Sequence, residues 1–361
     1  MKIIQYIPYS FYIHPWGLEK IAQTLCDWFN KDQSTECINI ASNISKWSNN
    51  VFKNRDIKLI PSFDLIQWFP VPKIRSQWFQ KNIKFIKEYK PDIIITHTRF
   101  FIQSLIGWLI AKWFWYKRVH VEHGSWFVTG YTRYIKFCAR LFDWTIGLWI
   151  FRQCDQIITI SQMHKQFISK FTNKTPVMIY NPIDYQPQDK VRNSIPHIGF
   201  VGRLVPLKWV DLLIQALKQI EDKERICTIV GTGSEDEKLK KLTQTLGLLD
   251  RIRFVWADNR SNRLHKFDIF VNPSYQEWVP TTVIEALMAW CIVVATDVGG
   301  TREISDKEDL IMVIPDNPNG LQKWIGLAMS RFNQSGKSYK TVKEKFSSEK
   351  VIKKYYSLIN Q

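Results

Sequence analysis

The chain has 361 residues, of which 45% are hydrophobic and 23% charged, so it is not an intrinsically disordered protein and it is long enough for two domains. Its 50 Lys and Arg residues exceed its 33 Asp and Glu residues, which gives a net charge of +17. This surplus favours an anionic partner, such as a phosphorylated substrate, an anionic membrane face or nucleic acid, although solvated lysines on a generally basic surface would give the same value.

The cysteines and the apolar segments bear on the compartment. The six cysteines are scattered without any Cys-x-x-Cys pair, which is typical of reduced core residues in a cytoplasmic protein. The opening stretch, MKIIQYIPYSFYIHPW, lacks the long apolar region and cleavage site of a signal peptide and predicts a first strand. The apolar segment 100–116 is interrupted by Gln103, Ser104 and Lys112, so it predicts a buried helix, with membrane-surface contact as the alternative.

In the first half of the chain, short β-rich runs alternate with helical patterns. The predicted strands are 2–7, 37–41, 92–96, 118–122 and 156–160, and the predicted helices are 18–29, 79–89 and 100–113. Such alternation is typical of parallel sheets covered by helices. The polar, proline-containing stretch YNPIDYQPQDKVRNSIP, residues 180–196, then predicts an interdomain linker.

After the linker the alternation restarts. The predicted strands are 197–201, 227–230, 253–255, 268–272 and 292–295, and the predicted helices are 208–220, 235–246, 281–289, 320–331 and a basic segment 339–360. We therefore predict two doubly wound, Rossmann-like α/β domains, residues 1–184 and 185–338, that face each other across a cleft. Residues 339–361 are predicted to form a C-terminal helix that packs back toward the first domain.

The segment FDIFVNPSYQEWVPTTVIEAL places two glutamates around a helix start. Pro280 favours the first helical position, which leaves the N–H groups of Thr281 and Thr282 in the unsatisfied first turn, a ready anion site. Glu285 is four residues after Thr281 and shares its face, whereas Glu277 lies on the preceding loop. Carboxylates beside a phosphate site accept hydrogen bonds from sugar hydroxyls, so the pattern fits a nucleotide-sugar. Two solvated glutamates are the alternative.

The segment HIGFVGRLVPLKWVDLLIQAL predicts a strand, a loop and a helix. Arg203 follows the strand end at Gly202, and Lys208 opens the helix. Two fixed cations there could bind a diphosphate and stabilise it as a leaving group without a metal ion. Since no Asp-x-Asp follows a strand, neither a divalent metal nor another cofactor is predicted.

Together these motifs resemble retaining glycosyltransferase family 4, whose members have the GT-B fold. The resemblance covers nearly the whole chain and rests on VGRLVPLKWVDLLIQAL, on the Glu-x7-Glu pattern EWVPTTVIE and on VVATDVGGTREI. It implies that Arg203 and Lys208 bind the donor diphosphate, that Glu285 binds the ribose, and that Glu277 binds the transferred sugar.

The first half carries further parts of the resemblance. HPWGLEK resembles the family's glycine loop beneath the donor phosphates, where Gly17 is the matching residue. VHVEHGS predicts a strand ending at His123, where the family often has a histidine near the donor sugar; a structural histidine is the alternative. His97 in THTR is an acceptor-side candidate. The implied catalytic residues are His123, Arg203, Lys208 and Glu277, and the implied donor-binding residues are Gly17, Gly202, Arg203, Lys208, Glu277, Thr281, Thr282 and Glu285.

The resemblance implies a metal-independent hexosyltransferase. Its donor is a nucleoside-diphosphate sugar, and its acceptor is a glycan or a polyprenyl-linked glycan in surface polysaccharide biosynthesis. Anomeric configuration is retained; the family is usually drawn with front-face attack inside an ion pair, and no carboxylate here is clearly placed as a nucleophile. The protein is predicted to be cytoplasmic and to bind peripherally to the inner face of the cytoplasmic membrane. The predicted membrane-binding elements are WFWYKR, residues 113–118, and the basic surface.

Three other functions compete with this interpretation. They are a GT-B sugar-nucleotide epimerase, a non-catalytic nucleotide-sugar-binding protein and a nucleic-acid binder, although the chain has no RRM, KH or zinc pattern.

Tryptophan stands where the family expects glycine at Trp16, Trp209, Trp256, Trp278 and Trp290, and Trp115 and Trp126 are further candidates. The chain has only 15 glycines, about 4%; adding its 16 tryptophans gives 31, or about 9%, against about 7% in typical proteins. We hypothesise that many of these tryptophans are UGA codons that the source organism reads as glycine. An aromatic-rich protein with an unusual site is the rival explanation.

Overall fold

The computed structural model describes residues 1–9, 17–43, 57–66, 69–72, 76–124, 137, 140–191, 193–220, 226–256, 261–314 and 317–360. The chain divides into two compact units. The N-unit comprises Met1–Pro182 and Ser348–Gln361, and the C-unit comprises Ile183–Ser347. The first of the two passages between the units, at Pro182–Ile183, therefore lies inside the predicted linker.

The N-unit is built on an eight-stranded sheet. Its strands are β1 (Lys2–Tyr9), β2 (Glu36–Asn43), β3 (Ile57–Ile66), β4 (Phe69–Pro72), β5 (Ile93–His97), β6 (Lys117–Glu122), β7 (Gln156–Thr159) and β8 (Val177–Met178). They lie in the order β4-β3-β2-β1-β5-β6-β7-β8, and all neighbours are parallel except β3 and β4. The order reverses direction between β1 and β5, which makes that point the topological switch point of the sheet.

Helices follow most strands of the N-unit. They are α1 (Gly17–Lys31), α2 (Ser76–Tyr89), α3 (Ile102–Phe114), α4 (Leu148–Gln153) and α5 (Gln162–Ile168), with a π-helical turn at Asp143–Gly147. In α1 the residues Ile21, Leu25, Cys26 and Phe29 are buried, as expected for an apolar stripe at helical spacing. The Ser161 hydroxyl caps α5 by accepting a hydrogen bond from the His164 N–H.

The C-unit is a six-stranded parallel sheet with helices between its strands. The strands are β9 (Ile198–Val201), β10 (Cys227–Val230), β11 (Ile252–Val255), β12 (Ile269–Asn272), β13 (Ile292–Thr296) and β14 (Leu310–Val313), and the helices are α6 (Val210–Lys218), α7 (Asp236–Thr245), α8 (Thr281–Met288), α9 (Pro318–Arg331) and α10 (Tyr339–Phe346). The strand order, β11-β10-β9-β12-β13-β14, is that of the doubly wound dinucleotide-binding fold. Every residue of β9, β10, β12 and β13 is buried, as expected for strands covered on both faces.

The C-terminal segment differs from its prediction as one helix. It forms two helices, α10 in the C-unit and α11 (Ser348–Ile359) in the N-unit. Within the N-unit, Tyr355 and Tyr356 of α11 pack edge-on against Phe29 of α1, with ring centroids 6.4 and 5.3 Å away. The break at Ser347 thus lets the last helix cover an apolar face of α1.

Several elements were absent from the prediction. They are β3, β4, β8 and β14, together with α4 and α5. The sequence of β4, FPVP, suggests a turn, but an edge strand tolerates proline because one side of it has no ladder partner. Strands of two to four residues such as β8 and β14 carry too little pattern to be recognised locally.

Two findings concern the membrane and the redox state. Among the described residues, no helix combines the length and apolar content that a membrane span needs.

The five cysteines in the described ranges are all buried free thiols.

Candidate functional site

The donor-site residues predicted in the C-unit gather at its topological switch point, where β9 and β12 lie side by side. Gly202 and Arg203 directly follow β9, and Asn272 ends β12. Ligands of doubly wound sheets bind outside the carboxyl ends of the strands at this point. The sheet therefore brings two distant segments of the chain to the place where a ligand is expected.

Lys208 and Glu277 form the charged centre of this region. Lys208 Nζ lies 2.5 Å from Glu277 Oε1, and the Asn272 amide donates to the same oxygen at 3.3 Å. The Ser274 hydroxyl in turn donates to Asn272 Oδ1 at 2.8 Å, which orients the amide. Both charged side chains are mostly buried. Asn272 and Ser274 were not among the predicted residues, although a polar pair at the end of a buried strand could have indicated them.

Lys208 does not open a helix, so that prediction is wrong. It ends a short 3-10 turn, Pro206–Lys208, and α6 begins only at Val210. The intervening Trp209 has φ of 46° and ψ of 40°, a left-handed conformation that interrupts helical geometry. The Tyr275 N–H donates to the Leu207 carbonyl at 2.9 Å and so joins this turn to the loop that carries Glu277.

The glycine pair after β13 supports the Glu277 loop. Gly299 has φ of +61°, and a Cβ at this position would overlap the Glu277 carbonyl oxygen. The Gly300 N–H donates to the Trp278 carbonyl at 2.5 Å, and the Thr296 hydroxyl donates to the Ser274 carbonyl at 2.6 Å. The pattern VVATDVGG is therefore explained by close backbone approach, a role that the sequence analysis did not assign.

The N-terminus of α8 lies on the same loop. The helix begins at Thr281 with Pro280 as its N-cap rather than its first residue, which corrects the predicted position of the proline. The first intrahelical bonds run from the Val283 and Ile284 N–H groups to the Pro280 carbonyl. The N–H groups of Thr281 and Thr282 precede these bonds and are available to an anion.

Glu285 and Arg203 complete the predicted donor set in the C-unit. Glu285 lies on α8 and is buried, whereas Arg203 is partly buried. Within the described ranges, no three His, Cys, Asp or Glu side chains are arranged to hold a metal ion.

In the N-unit the structure brings His97 and His123 together near the switch point. His97 ends β5, and His123 follows β6. His97 Nδ1 lies 3.1 Å from His123 Nε2, and the ring centroids are 5.4 Å apart, so the two rings meet edge to edge. Both side chains are buried. Burial lowers the pKa of His123 to about 3, although the Glu122 carboxylate acts in the opposite direction. Burial, then His123, also holds the pKa of His97 well below its usual value.

A buried ion pair that was not predicted involves Glu122, the residue before His123. Arg99 Nη1 lies 3.1 Å from Glu122 Oε2, and Glu122 Oε1 accepts the Gly124 N–H at 2.8 Å. Arg99 also donates to the Gly124 carbonyl at 3.3 Å. Burial opposes ionisation of Glu122, but Arg99 and the hydrogen bond from His120 outweigh it, so the pKa of Glu122 is held far below its usual value. The residues on both sides of His123 are thereby fixed.

The predicted glycine loop lies largely outside the described residues, which do not include His14 and Trp16. Gly17 is the exposed first residue of α1, and a Cβ added there would meet no atom within 4 Å. Packing within the protein therefore does not require glycine at this position.

The structure also bears on the tryptophans at expected glycine positions. Five non-glycine residues in the described part of the chain have positive φ, and three are Trp115, Trp209 and Trp290, with φ of 62°, 46° and 55°. Such values are outliers for bulky side chains and ordinary for glycine. Trp256 and Trp278 are exposed and lack this signature, and Trp126 falls outside the described residues. Backbone geometry thus supports the glycine hypothesis at three positions.

Comparisons with known proteins agree with these two units. The family described as "Glycosyl transferases group 1" matches residues 185–335, and "Glycosyltransferase Family 4" matches residues 46–186. The chain is 28% identical to "Uncharacterized glycosyltransferase MJ1069" of Methanocaldococcus jannaschii, over 98% of this chain and 97% of the relative. It is 27% identical to "O-antigen biosynthesis glycosyltransferase WclY" of Escherichia coli, over 59% of this chain and 63% of that protein.

A solved structure shares the fold. The crystal structure of Anabaena Alr3699/HepE in complex with UDP and glucose superposes with a TM-score of 0.75 at 16% identity, over 100% of this chain and 99% of the other. The two family matches together span most of the sequence, one on each unit. The chain therefore belongs to the group 1 and family 4 glycosyltransferases and has their GT-B fold of two α/β domains with parallel sheets.

Proposed function

We propose that this glycosyltransferase moves a hexosyl group from a nucleoside-diphosphate sugar to a glycan or polyprenyl-linked acceptor, with retained configuration and without a metal ion. The observation that carries the proposal is the Lys208–Glu277–Asn272 cluster at the switch point of the C-unit. It joins a cation, a carboxylate and an amide beside the N-terminus of α8, which is the set of groups that a sugar diphosphate requires.

The charges suggest how a diphosphate would be held. Arg203, just after β9, and Lys208, at the end of the 3-10 turn, supply positive charge, and the N–H groups of Thr281 and Thr282 supply hydrogen-bond donors. These groups stabilise negative charge that develops on the leaving diphosphate, which is the task of a metal ion in other transferases. Glu277, already oriented by Lys208, would then accept hydrogen bonds from hydroxyls of the transferred sugar, and Glu285 from the ribose.

The retaining pathway is front-face attack. In this pathway the acceptor hydroxyl attacks from the face that the diphosphate leaves, and a phosphate oxygen takes the proton. The carboxylate of the cluster, Glu277, is bound to Lys208 and Asn272. This arrangement suits recognition of hydroxyls better than nucleophilic attack.

A role in surface polysaccharide synthesis is supported by the name of the E. coli relative, an O-antigen biosynthesis glycosyltransferase. The family resemblance implies a lipid-linked acceptor, and such an acceptor would bring this chain to a membrane surface.

The N-unit exposes large apolar side chains that suit peripheral membrane binding. They include Leu109, Trp113, Trp115, Trp144 and Trp149. Lys112 lies 5.2 Å from the ring centroids of both Trp108 and Trp149, which places a cation among the indoles. Arg118 contributes less charge because it pairs with Asp155 at 2.8 Å. If Trp113 and Trp115 are glycines, charge becomes the main source of affinity, about 1 kcal/mol for each Lys or Arg near an anionic bilayer.

Liposome co-sedimentation tests the membrane part of the proposal. The chain should bind anionic vesicles, release them as salt is raised, and bind more weakly after Lys112→Glu. Lys240→Glu is the matched control because Lys240 is partly exposed on α7 of the C-unit. Indifference to anionic lipid at low salt rejects membrane attachment.

A donor panel tests the enzymatic part. Nucleoside-diphosphate sugars are incubated with acceptor extracts, and release of the nucleoside diphosphate is measured. Lys208→Ala should reduce release about 100-fold, the usual loss when a charge-stabilising group is removed. Lys238→Ala is the control, since Lys238 pairs with Glu235 on an exposed surface at 2.7 Å. Tight donor binding without release would instead favour the non-catalytic binding protein, and release that Lys208→Ala leaves unchanged would refute the assigned site.

A further inference from the structure

A chain of buried polar side chains crosses the core of the N-unit and ends at His123. It starts at Gln5, a fully buried residue in the middle of β1. The Gln5 amide nitrogen donates to the Ala22 carbonyl and to Asn39 Oδ1, both at 3.0 Å, and Gln5 Oε1 lies 2.9 Å from His97 Nε2. An apolar side chain would fill this site without needing partners, so the buried amide indicates a polar role.

The Ala22 carbonyl determines the direction of these hydrogen bonds. A backbone carbonyl can only accept, so the Gln5 NH₂ group must face Ala22 and the Gln5 carbonyl oxygen must face His97. That oxygen can only accept, which requires a proton on His97 Nε2. The neighbouring Asn39 agrees with this orientation, because its own amide nitrogen donates to Gln23 Oε1 at 3.1 Å.

The same reasoning passes to the second histidine. His97 is neutral because burial lowers its pKa, so a proton on Nε2 leaves Nδ1 as an acceptor. His123 Nε2, 3.1 Å away, must then carry a proton and donate it. Since His123 is also neutral, its Nδ1 keeps a lone pair. This nitrogen lies outside the chain of hydrogen bonds that begins at Gln5.

The backbone around His123 is held independently of its ring. The His164 Nε2–H donates to the His123 carbonyl at 2.7 Å, and His164 Nδ1 is hydrogen-bonded to the Ser161 hydroxyl. Together with the Arg99–Glu122 pair, these contacts restrict the position of the residue, whereas Gln5 and His97 determine which ring nitrogen carries the proton.

We propose that Gln5 and His97 are positioning residues that hold His123 in the Nε2–H tautomer, so that its Nδ1 accepts a hydrogen bond from a hydroxyl of the sugar substrate. The identity of this ligand rests on the proposed function, while the tautomer does not. The alternative tautomer would present an N–H to the substrate and would favour a carbonyl or carboxylate instead.

Nitrogen NMR tests the tautomer without any assay of activity. The full chain is labelled with ¹⁵N-histidine, and long-range proton–nitrogen spectra distinguish protonated from unprotonated ring nitrogens. His123 should show a protonated Nε2 and an unprotonated Nδ1, and its signals are identified by their loss in His123→Gln. Gln5→Met should leave a mixture of tautomers at His123. We call the hydrogen-bonded series Gln5–His97–His123 the relay. A proton on Nδ1 in the unchanged protein, or a tautomer unaffected by Gln5→Met, would overturn the relay.

A matched set of His97 variants tests the consequence for catalysis. In His97→Asn the amide occupies the position of Nδ1 and can still accept from His123, whereas His97→Gln keeps a polar group only toward Gln5. We expect His97→Asn to retain kcat within about threefold and His97→Gln to lose about 10–100-fold, with a smaller change in the donor KM, because misplaced groups chiefly affect the reacting geometry. Ser104→Ala is the control, since within the described part of the chain the Ser104 hydroxyl bonds only the backbone carbonyls of His97 and Thr98.

The outcomes separate the relay from the proposed function. Equal losses in all three variants would mean that His97 has only a structural role, and the relay would be rejected. On addition of a donor identified by the panel, the His123 Nδ1 signal should move while Nε2 stays protonated; an unmoved Nδ1 signal excludes the sugar contact. If no donor is found, the spectra of the free protein still decide the tautomer.

Discussion

Replacing Trp115 by glycine should stabilise the N-unit, although the substitution removes an entire indole side chain. Trp115 follows the last turn of α3 with φ of 62° and ψ of 28°, and its indole is 93% exposed. The Tyr116 N–H donates to the Ala111 carbonyl at 2.9 Å, so the backbone here forms a left-handed helix cap of the kind that glycine usually occupies. Very little packing is lost with an indole that is almost wholly in water.

The expected gain combines two opposing terms. A left-handed conformation costs a non-glycine residue about 1–2 kcal/mol. Glycine gives back about 0.5–1 kcal/mol because it makes the unfolded chain more flexible. The net stabilisation is about 0.5–1 kcal/mol, which corresponds to about 1–4 °C in Tm for a unit of this size.

Trp113→Gly is the matched control. Trp113 is also exposed, 76%, but it lies inside α3, where glycine is a poorer helix former than tryptophan by about 0.5 kcal/mol. The two variants should therefore shift stability in opposite directions. Urea unfolding of the full chain, followed by far-UV circular dichroism, avoids the loss of indole fluorescence. A Trp115→Gly variant that is destabilised as much as Trp113→Gly would refute the left-handed assignment.

Four other predictions follow from the described contacts. Glu285→Ala should weaken donor binding more than it alters donor-sugar choice, whereas Glu277→Ala should chiefly reduce turnover and change sugar preference; equal, mild effects in both would contradict the assignment. Turnover should survive EDTA, and loss of activity that Mg²⁺ or Mn²⁺ restores would reject metal independence. His123 is buried and neutral in the folded protein, with a pKa of about 3, whereas a histidine in the unfolded chain has a pKa of about 6.5. The unfolded chain therefore binds more protons below pH 6.5, and the free energy of unfolding should decrease as the pH is lowered, by about 2 kcal/mol at pH 5 relative to pH 7.5. The lowered pKa of His97 has the same effect on stability, and the lowered pKa of Glu122 affects stability only below about pH 4.5. In urea unfolding, His123→Gln should therefore reduce the dependence of stability on pH between pH 7 and pH 5. Finally, peptide mass spectrometry of protein from the source organism should find glycine at Trp209, and UGG codons at positions 209, 278 and 290 would end that hypothesis.

The sequence by itself determined the fold class and most of the elements. The apolar runs of β9, β10 and β12 and the amphipathic pattern of α1 are local signals, because each arises from residues that are close in the chain. The same holds for the motifs of the resemblance, which named Lys208, Glu277 and Glu285. The weak edge strands β4 and β8 escaped prediction because their pairing comes from neighbours in the sheet rather than from their own residues.

Only the tertiary structure decided which of these residues meet. Lys208 contacts Glu277 across 69 positions of sequence, because β9 and β12 are neighbours in the sheet. Gln5 and His97, 92 positions apart, meet for the same reason across β1 and β5. A sequence pattern shows that a residue is polar and where its strand ends, but strand order and backbone direction determine its partner. That is why the charged pair and the histidine relay become visible only once the sheets are assembled.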